Sequence, residues 1–270
     1  MIGDGTNNYA HINGNPVDPN LEWSAAIWFK PDTGGLGVTG TVRSFVFETD
    51  GTTYPISFGL RAGAGASSTV FQLYTHTTST STSQDAIVPA AQMDQWHQLV
   101  LTYDAALGTM TGYLDGAATY NLALGPGTTL QSYTGFNLGT YRTADGRWFK
   151  GLLDELAFWQ RRLSSSEVGQ LLALGRAGAS VLTKIQAFTT NGAPAGCFTL
   201  TWRAAPGLRY AVEASSDLRS WSDTVVTNYV AAAETVSVFI SPVQPPPTNG
   251  YYDPGLNGAS QRFYRVRWNP

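Results

Sequence analysis

Residues 136–164, FNLGTYRTADGRWFKGLLDELAFWQRRLS, decide the reading of the whole chain. Phe136 and Leu138 alternate with polar or small neighbours, the period-two pattern of a half-buried strand. Thr143-Ala144-Asp145-Gly146-Arg147 interrupts the pattern, and Asp-Gly is a turn signal. Phe149, Leu152, Leu156 and Phe158 then rebuild an apolar run around the acids Asp154 and Glu155, a second strand. Ser164 followed by Glu167 has the spacing of a capping box, which predicts a helix over Ser165–Leu174. Val168, Leu171 and Leu172 would form its buried face, and Gly175 would end it.

Outward from this stretch the punctuation is that of an all-β protein. Short alternating runs at 10–12, 25–30, 43–49, 56–61, 70–75, 97–103, 110–114, 135–138 and 152–158 are separated by Gly, Asp, Asn and Pro clusters. Thr77 to Ser83 has no apolar period and reads as an exposed loop, as does Gly34 to Gly37. So many alternating strands bury their apolar faces best as two facing antiparallel sheets. Residues 175–180 are small and read as a linker. Beyond it Phe198/Leu200/Trp202, Tyr210/Val212/Ala214, Val236/Val238/Ile240 and Phe263–Trp268 alternate again, and Pro245-Pro246-Pro247 marks a stiff loop. The expected organisation is therefore a two-sheet antiparallel sandwich over 1–180 and a smaller Ig-like or fibronectin-III-like sandwich over 181–270.

Composition narrows the function. Charged residues are only 13% of the chain, so the surface is rich in Ser, Thr, Asn, Gln and Gly, which suits an exported β-protein. The net charge of −3 and the lack of any long Lys/Arg block argue against nucleic acid as a partner. Cys197 stands alone, so no intrachain disulfide forms. No apolar run approaches the length of a membrane-spanning helix. The abrupt opening at Met1-Ile2 is read as that of a trimmed or mature chain, with a leader expected upstream in the source gene.

Four ordered segments carry a resemblance. Gly3-Asp4-Gly5-Thr6-Asn7-Asn8-Tyr9, Trp23 to Pro31, Gln95 to Asp104 with Gly112 to Gly116, and the run ending in Asp154-Glu155 and Arg161-Arg162-Leu163-Ser164 resemble the laminin-G-like, concanavalin A-like jelly rolls of exported bacterial proteins. Leu200-Thr201-Trp202, Pro206-Gly207, Ser216 to Trp221 and Phe263 to Val266 resemble a C-terminal module usually found as a spacer or stalk. The resemblance implies a fold and a secreted or cell-surface setting more than an activity. It also implies a structural Ca2+ where the first turn meets the penultimate strand, at Asp4 and Asp154. The competing reading gives Asp4 an Asx turn and lets Asp154 accept a neighbouring backbone amide.

Catalytic patterns are thin. A retaining glycosidase needs two carboxylates about 5 Å apart, and jelly-roll glycosidases resembling this chain carry Glu-x-Asp-x-x-Glu on one strand. No such pattern occurs, and adjacent Asp154 and Glu155 on a regular strand would point to opposite faces. Arg43, Gln72, Tyr74 and His76 match the residue types of an alginate-lyase groove, but without its flanking motifs they read as a polar outer sheet face. No Gly-x-Ser-x-Gly elbow is present, and His97 reads as a structural histidine bonded to backbone. Sugars stack on exposed aromatics, and the chain has 8 Trp and 13 Tyr. Trp23, Trp28, Trp96, Trp159 and Trp202 fall on core positions. Tyr54, Tyr133, Tyr251 and Tyr252 fall in loops. Tyr141, Asp145, Arg147 and Trp148 cluster in one turn and form the candidate ligand site. The expected function is non-catalytic recognition of a glycan or surface polymer. The alternatives are a polysaccharide hydrolase or lyase, and a subunit of a surface assembly or filament.

Overall fold

The computed structural model of the chain describes residues 2–4, 9–32, 45–50, 58–62, 70–76, 81–87, 93–130, 133–140, 149–178, 182–183, 185–189, 197–246, 250–257 and 261–270. The chain divides into two compact units, Met1–Val168 and Gly169–Pro270.

The first unit contains, in chain order, β1 (Ile2–Asp4), β2 (Ala10–Asn13), β3 (Trp23–Pro31), β4 (Phe45–Asp50), β5 (Phe58–Ala62), β6 (Val70–His76), β7 (Ser81–Ile87), β8 (His97–Asp104), β9 (Thr109–Leu114), β10 (Ala117–Ala123), β11 (Gly135–Leu138) and β12 (Lys150–Trp159). Two six-stranded sheets result, in the orders β1-β12-β3-β8-β9-β10 and β2-β11-β4-β5-β6-β7, with every described pairing antiparallel. This is the concanavalin A-like sandwich. The two strands of the opening stretch lie in different sheets: β11 in one, β12 in the other. Phe136 and Phe158 meet edge to face with ring centroids 5.0 Å apart, the geometry that aromatic quadrupoles favour. Around them Trp23, Ile27, Phe29, Leu99, Leu101 and Tyr103 complete one core. Alternation along β8 explains the choice, since Leu99, Leu101 and Tyr103 share a face.

Several expectations need correction. Ser81–Ile87 is a strand paired with β6, so the polar stretch assigned to a loop ends as an edge strand; 77–80 and 34–37 lie outside the described residues. Trp96 is exposed rather than core. Tyr133, expected in a loop, is buried, its hydroxyl donating to the Val17 carbonyl at 2.6 Å. The buried His97 bonds through Nδ1 to the Asp115 carboxylate at 2.7 Å.

The helix α1 (Ser165–Arg176) starts as predicted: Glu167 Oε2 accepts from Ser164 N–H at 2.7 Å, and the Glu167 N–H donates to Ser164 Oγ at 3.3 Å. It does not end at Gly175. It runs one residue further, and Gly178 takes the left-handed conformation (φ +65°) that closes a helix. Leu174, not Leu172, is the third buried apolar residue after Val168 and Leu171.

The second unit contains β13 (Leu182–Thr183), β14 (Ile185–Thr189), β15 (Phe198–Arg203), β16 (Arg209–Ser215), β17 (Asp223–Val230), β18 (Thr235–Ser241), β19 (Gly250–Tyr252) and β20 (Phe263–Trp268). They form two four-stranded sheets, β13-β20-β16-β17 and β14-β15-β18-β19, antiparallel except for the parallel pair β18–β19. Leu200, Trp202, Tyr210, Val212, Val238 and Trp268 are buried, as is Cys197. Asp253 is fully buried and fully used: it takes both a bidentate pair from Arg262 at 2.8 and 3.0 Å and the Tyr264 hydroxyl at 2.7 Å. No helix among the described residues is long and apolar enough to cross a membrane.

Candidate functional site

The outer face of β8 and β9 carries the residues that alternation turns away from the core. Thr102 and Asp104 on β8 stand opposite Thr111 and Thr109 on β9, and Tyr113 continues the row. The turn between the strands is fixed by Asp104, whose Oδ1 accepts the Leu107 N–H at 3.0 Å. That turn packs closely on the loop after β10: a Cβ on Gly108 would lie 1.8 Å from the Gly125 carbonyl oxygen, and Gly108 has φ +61°. Only glycine fits there.

The other wall is the segment between β12 and α1. A single hydroxyl anchors it. Ser24 Oγ donates to the Arg161 carbonyl at 3.0 Å and accepts the Leu163 N–H at 2.9 Å. Gln160 adds a clasp, accepting from Asp18 N–H at 2.6 Å and donating to the Glu22 carbonyl at 2.8 Å. Arg161 and Arg162 are both engaged: Arg161 with Glu167 at 2.7 Å, Arg162 with Asp104.

Between these walls lies a groove of about 280 Å³, at the small end of the range for ligand pockets. Its lining is mostly hydroxyl: Thr102, Thr109, Thr111, Tyr113, Ser164 and Ser165. Leu107, largely exposed, supplies an apolar lip. Asp104 is the one carboxylate among the lining residues, and both its oxygens are taken, by Leu107 N–H and by Arg162. Such a surface hydrogen-bonds a polyol through donors and acceptors alike, with a phenol ring for an apolar sugar face.

The expected ligand turn, with Tyr141, Asp145, Arg147 and Trp148, lies outside the described residues, as do Tyr54 and Arg43. Gln72, Tyr74 and His76 lie on β6 at alternate positions, opposite Asp85, Ser83 and Ser81. The register sets Asp4 opposite Lys150, and Asp154 lies four residues further along β12, a displacement of about 13 Å along the strand. Asp154 Oδ1 accepts the Glu155 N–H at 2.9 Å, the backbone role that competed with calcium. Among the described residues no group of three His, Cys, Asp or Glu side chains is placed to hold a metal.

The expectation that Asp154 and Glu155 face opposite ways also fails. Pairing passes from Asp154↔Trp28 to Ala157↔Ala26, so Glu155 and Leu156 together oppose Ile27, a β-bulge with Glu155 at φ +50°. The extra residue resets the alternation. Leu153, Leu156 and Phe158 reach the core while both acids stay exposed. Although part of its surface meets solvent, the Glu155 carboxyl is pushed up to about 7, first by the protein packed around it and then by the charge of Asp154.

Sequence comparison decides the family. Residues 4–169 match the family described as the concanavalin A-like lectin/glucanases superfamily. The chain belongs to that superfamily. Among solved structures this lectin/glucanase-like chain is similar to a heptameric SAP-like pentraxin from Limulus polyphemus, at 13% identity over 62% of this chain and 76% of that one, with a TM-score of 0.45. It is similar to domain 4 of AbnA, an extracellular GH43 arabinanase from Geobacillus stearothermophilus solved with arabinotriose, at 22% identity over 56% of this chain and 65% of that one, TM-score 0.38. It is also similar to the sialidase of Trypanosoma rangeli, at 14% identity, covering 58% of this chain but 23% of that one, TM-score 0.44. No curated protein matches it.

The groove was not visible in the sequence. Its hydroxyl residues have no apolar period, and its two walls are some sixty residues apart in the chain. The one available signal was period two along Thr109, Thr111 and Tyr113 on a strand whose other face is apolar.

Proposed function

We propose that this chain is a non-catalytic carbohydrate-recognition module of the extracellular space or cell surface, taking a short neutral stretch of glycan in the groove between β8, β9 and the segment leading to α1. The observation that carries this reading is the groove's lining: six hydroxyl side chains and a single carboxylate that Arg162 already neutralises. Hydrolysis by two carboxylates has no second partner there. Membership of a lectin and glucanase superfamily supports a sugar as the ligand. The turn bearing Tyr141, Asp145, Arg147 and Trp148 belongs to the proposal as a further contact.

The test is depletion of the protein from solution by a panel of insoluble neutral polysaccharides, repeated with T111V and R162Q. Selective depletion by one polymer, weakened about tenfold in each variant, is expected, since one lost hydrogen bond of about 1.4 kcal/mol is a factor of ten. No depletion by any polymer, or equal depletion of the variants, would overturn the assignment. A hydrolase reading is favoured by one observation, the bulge that sets Glu155 beside Asp154, where burial and the neighbouring charge raise its carboxyl to about 7, an arrangement used for general acids. Release of reducing ends by the wild type, abolished in E155Q, would establish it instead.

A further inference from the structure

The two units differ in charge. Residues 1–168 carry 14 acidic and 8 basic side chains, and residues 169–270 carry 5 and 8, giving −6 and +3. Two of the second unit's arginines share one sheet face with a single carboxylate. Along β16 and β20, Val212, Ala214, Val266 and Trp268 are buried on the core side, while Glu213, Arg265 and Arg267 share the other. Glu213 is only 5% exposed, and each of its oxygens takes one guanidinium: Oε2 from Arg265 Nε at 2.7 Å, Oε1 from Arg267 Nε at 2.6 Å. Burial works to raise its pKa, but the two hydrogen-bonded guanidiniums hold the carboxyl below its ordinary value. One carboxylate thus serves two arginines, and the cluster keeps a net positive charge.

Both guanidiniums are pinned rather than consumed. Arg265 lies over the Trp221 ring, 4.5 Å from its centroid, and among the described residues its two terminal nitrogens have no hydrogen-bond partner. Arg267 Nη1 makes only long contacts, 3.3 Å to Asn269 Oδ1 and 3.4 Å to the Trp268 carbonyl, and Nη2 makes none among them. Each side chain remains 37% exposed. The two forks stand at i, i+2 on one strand, about 7 Å apart. Bonding to Glu213 and stacking on Trp221 have already restricted their rotamers, which lowers the entropy lost when an anion binds.

We propose that this face of the sheet β13-β20-β16-β17 is a second binding site, one that takes an acidic polysaccharide, with Arg265 and Arg267 as paired forks for its carboxylate or sulfate groups. Guanidinium forks match those planar or trigonal anions better than neutral hydroxyls do. The adjoining amides extend the surface with neutral donors and acceptors, Asn269 Nδ2 donating to Asn228 Oδ1 at 2.7 Å. Two forks are too few for a nucleic-acid footprint, which needs a longer basic stripe. The choice of a sugar polymer over another polyanion rests on the carbohydrate reading of the first unit; the anion site itself does not.

The experiment is affinity electrophoresis of the full chain in gels containing polygalacturonate, dextran sulfate, neutral dextran or duplex DNA, at two salt concentrations. Retardation by an acidic polymer, weaker at higher salt and absent with neutral dextran, is expected. R265Q and R267Q, each leaving Glu213 one guanidinium, should each weaken it at least tenfold with thermal unfolding unchanged within a few degrees. R267K, which keeps the charge and loses the fork, should fall between wild type and R267Q. T111V should leave retardation intact, which separates this site from the groove. Retardation equal in wild type, R265Q and R267Q, or no retardation by either acidic polysaccharide, would overturn the site. Retardation by DNA as strong as by polygalacturonate would overturn the polysaccharide assignment.

Discussion

Glu155 sits where a bulge and a left-handed backbone coincide, and its carboxyl is raised first by burial and then by the charge of Asp154. Its pKa in the folded state, about 7, lies above the ordinary 4.5, so the folded protein holds this proton more tightly than the unfolded chain. Stability therefore falls as pH rises from about 4.5 to about 7 and is flat above. E155Q removes the ionisable group. Its melting temperature should match wild type at pH 4.5 and exceed it increasingly up to pH 7, with a constant gap beyond. A gap independent of pH would show that the carboxyl is not the cause. Tyr133 is a second residue whose role reduces to one group. Its buried hydroxyl donates to the Val17 carbonyl and accepts the Val17 N–H at 3.3 Å, and burial pushes its pKa up to about 12. Y133F leaves that backbone pair unsatisfied and should cost about 1–3 kcal/mol in denaturant unfolding.

At the level of the element, the capping box of α1 is the clearest case of local sequence dictating local structure. Removing the Glu167 side chain (E167A) frees the Ser164 amide and Arg161 together, and should cost about 1 kcal/mol. Burial works against the Glu167 charge, but hydrogen bonds from Arg161 and Ser164 outweigh it and hold the carboxyl below its ordinary value. The contribution is therefore complete above pH 4.5 and disappears as acid protonates the group, so the E167A penalty should vanish at low pH. Across the sandwich, F136A removes one partner of the Phe136–Phe158 contact and should cost about 3–5 kcal/mol by equilibrium unfolding. Elements of this kind were legible beforehand, because β3, β8 and β11 place apolar residues at alternate positions and α1 carries its own start signal. β10 was not, since Tyr120 is its one fully buried residue, nor was β7, which has no apolar period and pairs through its backbone. The bulge in β12 was hidden for another reason: period two has no symbol for an inserted residue, and one insertion reverses the face of everything before it. The groove and the Arg265–Arg267 pair depend on register between strands distant in the chain, which alternation within a strand does not encode.

Over the whole molecule, two units of opposite charge occur in one chain, and a net charge of −3 conceals both. Any property read from the total, such as the absence of a basic footprint, averages over that difference. The first unit offers hydroxyls with one neutralised carboxylate, the second offers guanidiniums held by a buried one. Their ligands should accordingly respond differently to salt: groove binding should hold between 50 and 500 mM NaCl, and binding at the arginine face should weaken. Cys197 gives the same division a clock. It is the chain's one thiol, it is 5% exposed, and it lies in the second unit. A thiol-specific reagent thus labels the protein once, and only when that unit opens. When reclosing outpaces labelling, the rate reports the equilibrium population of the open form of one unit without any signal from the other. Substitutions confined to the first unit, F136A or Y133F, should leave the labelling rate unchanged if the units open independently, and should raise it in step with their cost if they open together.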